Sequence, residues 1–183
     1  MRLTQKDIYN PLSVGLRWEA DVDLTTPDGS VFHGTAVREI TGTEVIDGKT
    51  YFKSVTRFTG LPGMNQFTTY RRKTPDGIYA INGFDPQKHE YLETGLPLTV
   101  GKTWTAAIDT DKTIFTVEKE ETVSVGDRKY EKCLKVVYRS NGPSPSGHFY
   151  LAPNTGNVME TLKQGGATFQ FTLKSFNNSQ KND

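Results

Sequence analysis

From Trp18 to Leu24 apolar and polar residues alternate. Trp18, Ala20, Val22 and Leu24 share one side; Glu19, Asp21 and Asp23 share the other. A period of two marks a strand with one wet face. Trp104, Ala106 and Ile108 begin the same pattern again. Further runs rich in β-branched and aromatic residues are Tyr51–Thr59, Gln66–Lys73, Thr113–Val117, Lys129–Arg139, His148–Leu151 and Ala167–Phe176. Turn chemistry separates them: Pro27-Asp-Gly29, Asp47-Gly48, Leu61-Pro-Gly63, Pro75-Asp-Gly77, Asn82-Gly83, Gly126-Asp127, Asn141-Gly-Pro143, Pro153-Asn-Thr-Gly156 and Gly165-Gly166. Such residues supply the positive φ and the breaks that hairpins need. No segment sustains a helical period. About ten short strands follow, at the spacing of a sandwich or barrel. Short connections make neighbours antiparallel. The expected fold is all-β, a single domain over 1–176 forming a curved sheet, an incomplete barrel or a sandwich, with a disordered polar tail at 177–183.

The chain also repeats itself. Pro11-Leu12-Ser-Val14-Gly15-Leu-Arg-Trp18 recurs as Pro97-Leu98-Thr-Val100-Gly101-Lys-Thr-Trp104, and the two carry both tryptophans. Weaker anchors follow in order: Tyr51 matches Tyr130, and Gly77 matches Gly156. Self-similarity of this kind predicts two copies of one structural unit, at about 8–92 and 93–176. The first copy is longer between its Trp and its second turn, which predicts a longer hairpin around Pro27-Asp28-Gly29. Neither half has enough apolar surface to fold alone, so the halves should share a core. Pro11, Leu12, Gly15 and Trp18, with Pro97, Leu98, Gly101 and Trp104, are therefore structural anchors.

Composition supports the β reading. There are 24 Thr against 7 Ala and 12 Leu in 183 residues, and Thr suits a pleated surface better than a helix. Lys+Arg 22 against Asp+Glu 21 leaves a net charge of +1, so no global field draws nucleic acid. Arg71-Arg72-Lys73 is the one basic run; alternation splits it between two faces, and a solvated edge or strand end is its simplest place. The single Cys133 excludes an internal disulfide and a cysteine-built metal site, and reads as a small buried apolar residue. The N-terminal residues carry no apolar leader, and no stretch reads as a membrane span. Two explanations fit: a cytoplasmic protein, or an extracytoplasmic one whose leader precedes this sequence.

The lead-in Tyr9-Asn-Pro11-Leu12-Ser-Val14-Gly15-Leu-Arg-Trp18, ahead of a Thr-rich β chain, resembles secreted or lipid-anchored bacterial envelope proteins of all-β type. Tyr130-Glu-Lys-Cys133-Leu134-Lys135-Val136 and Tyr150-Leu-Ala152-Pro153-Asn-Thr-Gly156-Asn-Val158 extend the resemblance along the chain. The last segment is also similar to a hairpin of the lipoprotein-carrier proteins of the bacterial envelope, whose curved sheet holds lipid. The chain departs from those carriers in having a repeat and lacking their plugging helices. The resemblance implies a place in the periplasm, outer membrane or cell surface.

Reaction chemistry is sparse. His33, His89 and His148 read as surface or hairpin histidines, without a metal-ligand constellation. Ser144, Ser146 and His148 lie close in sequence, but their loop composition does not make a dyad. No nucleotide loop or cofactor fingerprint is present, so no cofactor is expected. One binding constellation emerges: Phe67, Tyr70, Tyr79, Tyr91, Phe149 and Tyr150 gather on middle strands of the two halves. They would line an apolar pocket with Arg71 or Arg72 as its polar handle; cross-strand aromatic pairing is the simpler alternative. The expected function is non-catalytic binding of a lipid, a hydrophobic small molecule or another envelope protein on a curved sheet. The alternatives are a structural or protein-interaction module, and a hydrolase with an unrecognised site.

Overall fold

The structure, a computed structural model, describes residues 8–108, 111–141 and 145–178. These form twelve strands: β1 (Leu16–Thr25), β2 (Val31–Ile46), β3 (Lys49–Thr59), β4 (Gln66–Lys73), β5 (Gly77–Asn82), β6 (Glu90–Gly95), β7 (Thr103–Ile108), β8 (Asp111–Val125), β9 (Arg128–Ser140), β10 (Ser146–Ala152), β11 (Gly156–Gln164) and β12 (Ala167–Asn178). Nine expected turns would bound ten strands; they fall at strand junctions, with Gly77, Asn82 and Gly156 taken into strand ends and Gly142 and Pro143 outside the described residues. The strands that the alternating and β-rich runs did not name are β2, β5, β6 and β11. β12 also runs to Asn178, so Asn177 and Asn178 pair with β1 rather than opening a tail.

All twelve strands join one antiparallel sheet in the order β6-β5-β4-β3-β2-β1-β12-β11-β10-β9-β8-β7. Two six-stranded meanders thus lie side by side, joined where β1 pairs with β12 from Leu16↔Asn178 to Thr25↔Thr168. Bulges interrupt the ladders at Glu19/Ala20, Ile40/Gly42, Ile78/Tyr79, Val117/Lys119, Glu121/Val123 and Tyr150/Leu151. Each bends its strand and adds twist, which curls the sheet into a nearly closed barrel. β6 and β7, the two ends, meet without forming a ladder. The Trp104 indole Nε1 crosses this seam and donates to the Glu93 carbonyl oxygen at 3.0 Å. Gly95 makes room for it: a methyl there would stand 2.9 Å from Trp104 Cβ.

The two lead-ins adopt one geometry. Gly15 and Gly101 have φ of 87° and 89°, a region that favours glycine. Gly15 N donates to Ile40 O, and Gly101 N to Val117 O, both at 2.8 Å. Each tryptophan then lies near the start of its strand and donates to a backbone carbonyl outside that strand, Trp18 Nε1 to Thr155 O at 2.6 Å. Leu16, Trp18, Ile40, Cys133 and Val158 pack as one buried cluster; Leu98, Trp104, Val117, Leu134 and Val136 pack as another. The hairpin around Pro27-Asp28-Gly29 has arms of 10 and 16 residues, against 6 and 15 for β7 and β8. Cys133 is fully buried, and burial raises its thiol pKa.

Candidate functional site

Alternation decides which side chains enter the barrel. On β4, Phe67, Thr69 and Arg71 face the lumen, so Tyr70 and Arg72 face out. Arg71-Arg72-Lys73 therefore does not occupy a solvated edge. β4 is an interior strand, and Arg71 points into the barrel. The reason is phase: Arg71 shares the parity of Phe67, whose ring packs against Phe58 at 5.8 Å.

The lumen holds a cavity of two lobes, about 530 and 390 Å³. Trp18, Arg38, Phe67, Arg71, Asn157 and Glu160 line both lobes and mark their junction. The larger lobe continues past Tyr91, Phe115, Tyr138 and Phe149. The smaller is walled by Ala20, Ala36, Phe58, Met64, Phe169 and Phe171. Both volumes suit a small-molecule site.

Of the constellation expected from sequence, Phe67, Arg71, Tyr91 and Phe149 line the lumen. Tyr70, Arg72, Tyr79 and Tyr150 do not. Tyr70 packs with Ile46, Tyr51 and Ile81 on the outer face. Arg72 lies 4.8 Å over the Tyr79 ring and pairs with Glu90. Tyr79 donates to Asp76, and Tyr150 meets the His148 ring edge-on. The Glu90 carboxylate accepts from Arg72, Tyr51 and Lys49. Arg72 chiefly holds its pKa down to about 2, with burial opposing.

Four luminal side chains end in a carboxyl or guanidinium group. Arg71 grips Glu93 in a bidentate pair with contacts of 2.8–3.0 Å. Burial pulls the Arg71 pKa down, but Glu93 outweighs it and the net shift is upward. Glu160 accepts hydrogen bonds from the Tyr138 hydroxyl and from Asn157 Nδ2, both at 2.9 Å. Burial nevertheless dominates and raises its pKa, favouring the neutral acid. Arg38 stacks on Trp18, its guanidinium carbon 4.0 Å from the ring centroid, a cation–π contact. Burial first, then Arg71, lower its pKa to about 9, so it stays charged at neutral pH. Among the described residues no carboxylate forms an ion pair with Arg38.

Three polar atoms on the wall of the larger lobe, Asn10 Nδ2, Ser54 Oγ and Asn157 Oδ1, are buried without a hydrogen-bond partner. Buried polar atoms are ordinarily satisfied, so these three stand out on the wall.

Sequence reasoning missed Arg38, Glu93, Tyr138 and Glu160. The signal was present as phase. Arg38 sits in Ala36-x-Arg38-x-Ile40 and Glu160 in Val158-x-Glu160-x-Leu162, each a charge on the apolar parity of its strand. The histidines lie elsewhere. His33 pairs with Asp23 at 2.6 Å and His89 with Asp85 at 3.0 Å, both His side chains well exposed. The His89 pair, four residues apart, was also overlooked. Ser144 is outside the described residues.

No protein-family model and no curated protein matches the chain. Solved structures do align with it. A candidate exported protein with a YmcC-like fold from Bacteroides fragilis aligns with a TM-score of 0.58 at 13% identity, over 93% of this chain and 99% of that one. This similarity shows the fold. A β-barrel-like protein of the domain of unknown function DUF1849 from Brucella abortus aligns at 0.44, with 15% identity over 90% and 97%. A candidate lipoprotein from Parabacteroides distasonis aligns at 0.40, with 10% identity over 93% and 98%.

Proposed function

We propose that the protein is an extracytoplasmic, non-catalytic binding protein that holds a hydrophobic ligand, such as a lipid, inside its barrel. The observation that carries this reading is the two-lobed lumen, about 390 and 530 Å³, walled mainly by aromatic and aliphatic side chains. A folded interior normally packs to near-crystalline density. An apolar interior space of this size therefore favours an occupant. The extracytoplasmic place rests on the resemblance of the lead-in to envelope proteins and on the fold shared with a candidate exported protein. The same reading takes the chain as a fused duplication, supported by the matching bonds of Gly15 and Gly101.

The test is a fluorescence titration with N-phenylnaphthylamine, an uncharged dye that brightens in apolar surroundings. The expected result is saturable, one-to-one binding, reversed by long-chain aliphatic competitors. Absence of saturable binding, or binding that such competitors leave untouched, would overturn the proposal.

A further inference from the structure

Resting on the reading of the lumen as a ligand site, the geometry points to a specific ligand class: a single-chain amphiphile with a monoanionic acid head, seated with the head on Arg38 and the chain in the smaller lobe. Arg38 lines both lobes, so a head bound there leaves the chain a continuous path. The path runs between Ala20, Ala36, Phe58, Phe169 and Phe171, and its wall is mainly apolar, with Thr56 and Gln164 as polar members.

Charge selects the acid. Arg71 is already committed to Glu93 through three hydrogen bonds. Tyr138 and Asn157 each donate to one oxygen of Glu160. The Arg38 guanidinium lies over the Trp18 ring, but its planar fork of N–H donors has no carboxylate partner among the described residues. The charges of Glu93 and Glu160 act on Arg38 from a distance, but a buried guanidinium with no carboxylate hydrogen-bonded to its fork is costly. A carboxylate completes it with two parallel hydrogen bonds. One open guanidinium matches one negative charge. An alcohol or a cationic amphiphile would fill the same apolar lobe and leave Arg38 as it is.

The experiment displaces N-phenylnaphthylamine from the full chain with hexadecanoic acid, hexadecanol or hexadecylamine, each below its aggregation limit. The acid is expected to compete about tenfold or more better than the alcohol, the amine worst. In Arg38→Met the acid's advantage should fall to within about twofold; Arg38→Lys, which keeps a point charge but not the fork, should fall between. If Arg38→Met does not fold, the wild-type ratio and Arg38→Lys decide the matter. Equal potency of acid and alcohol in the wild type, or an acid preference that survives loss of Arg38, would overturn the head-group assignment while leaving the lumen reading intact. Failure of every probe to bind would remove both.

Discussion

The seam between β6 and β7 is where this barrel is held without a ladder, and Trp104 is the side chain that spans it. Trp104 is 7% exposed and lies parallel to Phe115, with centroids 5.1 Å apart. Trp104→Phe keeps a ring at that place. It loses the indole bond to Glu93 O, about 0.5–1.5 kcal/mol. Trp104→Ala also removes the stack and most of the buried area, which raises the cost to about 3–5 kcal/mol. For a chain of 183 residues, each kcal/mol shifts Tm by about 2–4 °C. The alanine variant should therefore melt about 6–20 °C below wild type, and the phenylalanine variant only a few degrees below. Urea unfolding followed by far-UV circular dichroism checks the free energies, and calorimetry the midpoints. An alanine cost within 1 kcal/mol of the phenylalanine cost would refute the seam argument.

Three other outcomes follow from the same geometry. Hydrogen exchange read by mass spectrometry should find β6 and β7 exchanging before β1 and β12, because the joined seam has a full ladder and the other has none; equal protection would count against the open seam. A double-mutant cycle on Arg71→Met and Glu93→Gln should give a coupling of about 1.5–3 kcal/mol, discounted for the partial exposure of Glu93; a coupling below about 0.5 kcal/mol would contradict a luminal ion pair. Glu90 has a pKa depressed to about 2, so its contribution is present above the ordinary carboxylate range and lost as pH falls toward 2. Wild type should lose stability faster than Glu90→Gln between pH 5 and 2.5, and parallel curves would refute the assignment.

Much of the fold could be read from alternation and turns, because a half-buried strand writes its two faces directly into the chain. Strands such as Gln66–Lys73 were legible to the residue. The seam was not, because closure depends on a contact between Trp104 and Gly95 that no local pattern encodes. The site was half legible for a related reason. Aromatic clustering finds Phe67, Tyr91 and Phe149, but without the register it adds Tyr70, Tyr79 and Tyr150 from the outer wall. Arg71 and Arg72 are neighbours in sequence and lie on opposite sides of a sheet. Arg38, Glu93 and Glu160 resemble solvated strand residues until their parity is compared with that of the apolar residues two positions away. A charge on the apolar parity is the sign that would have located the lumen's polar centre.

The most direct test of the account uses Trp104→Phe, which leaves Trp18 as the sole indole. Trp18 lines both lobes beside Arg38, and bromine quenches an indole only at contact range. Titration with hexadecanoic acid brominated at carbon 2, next to the head group, should quench Trp18 in a saturable way, and unbrominated hexadecanoic acid should reverse the quenching. Saturable binding of the brominated acid with Trp18 emission unchanged would place the ligand outside the lumen and contradict the account.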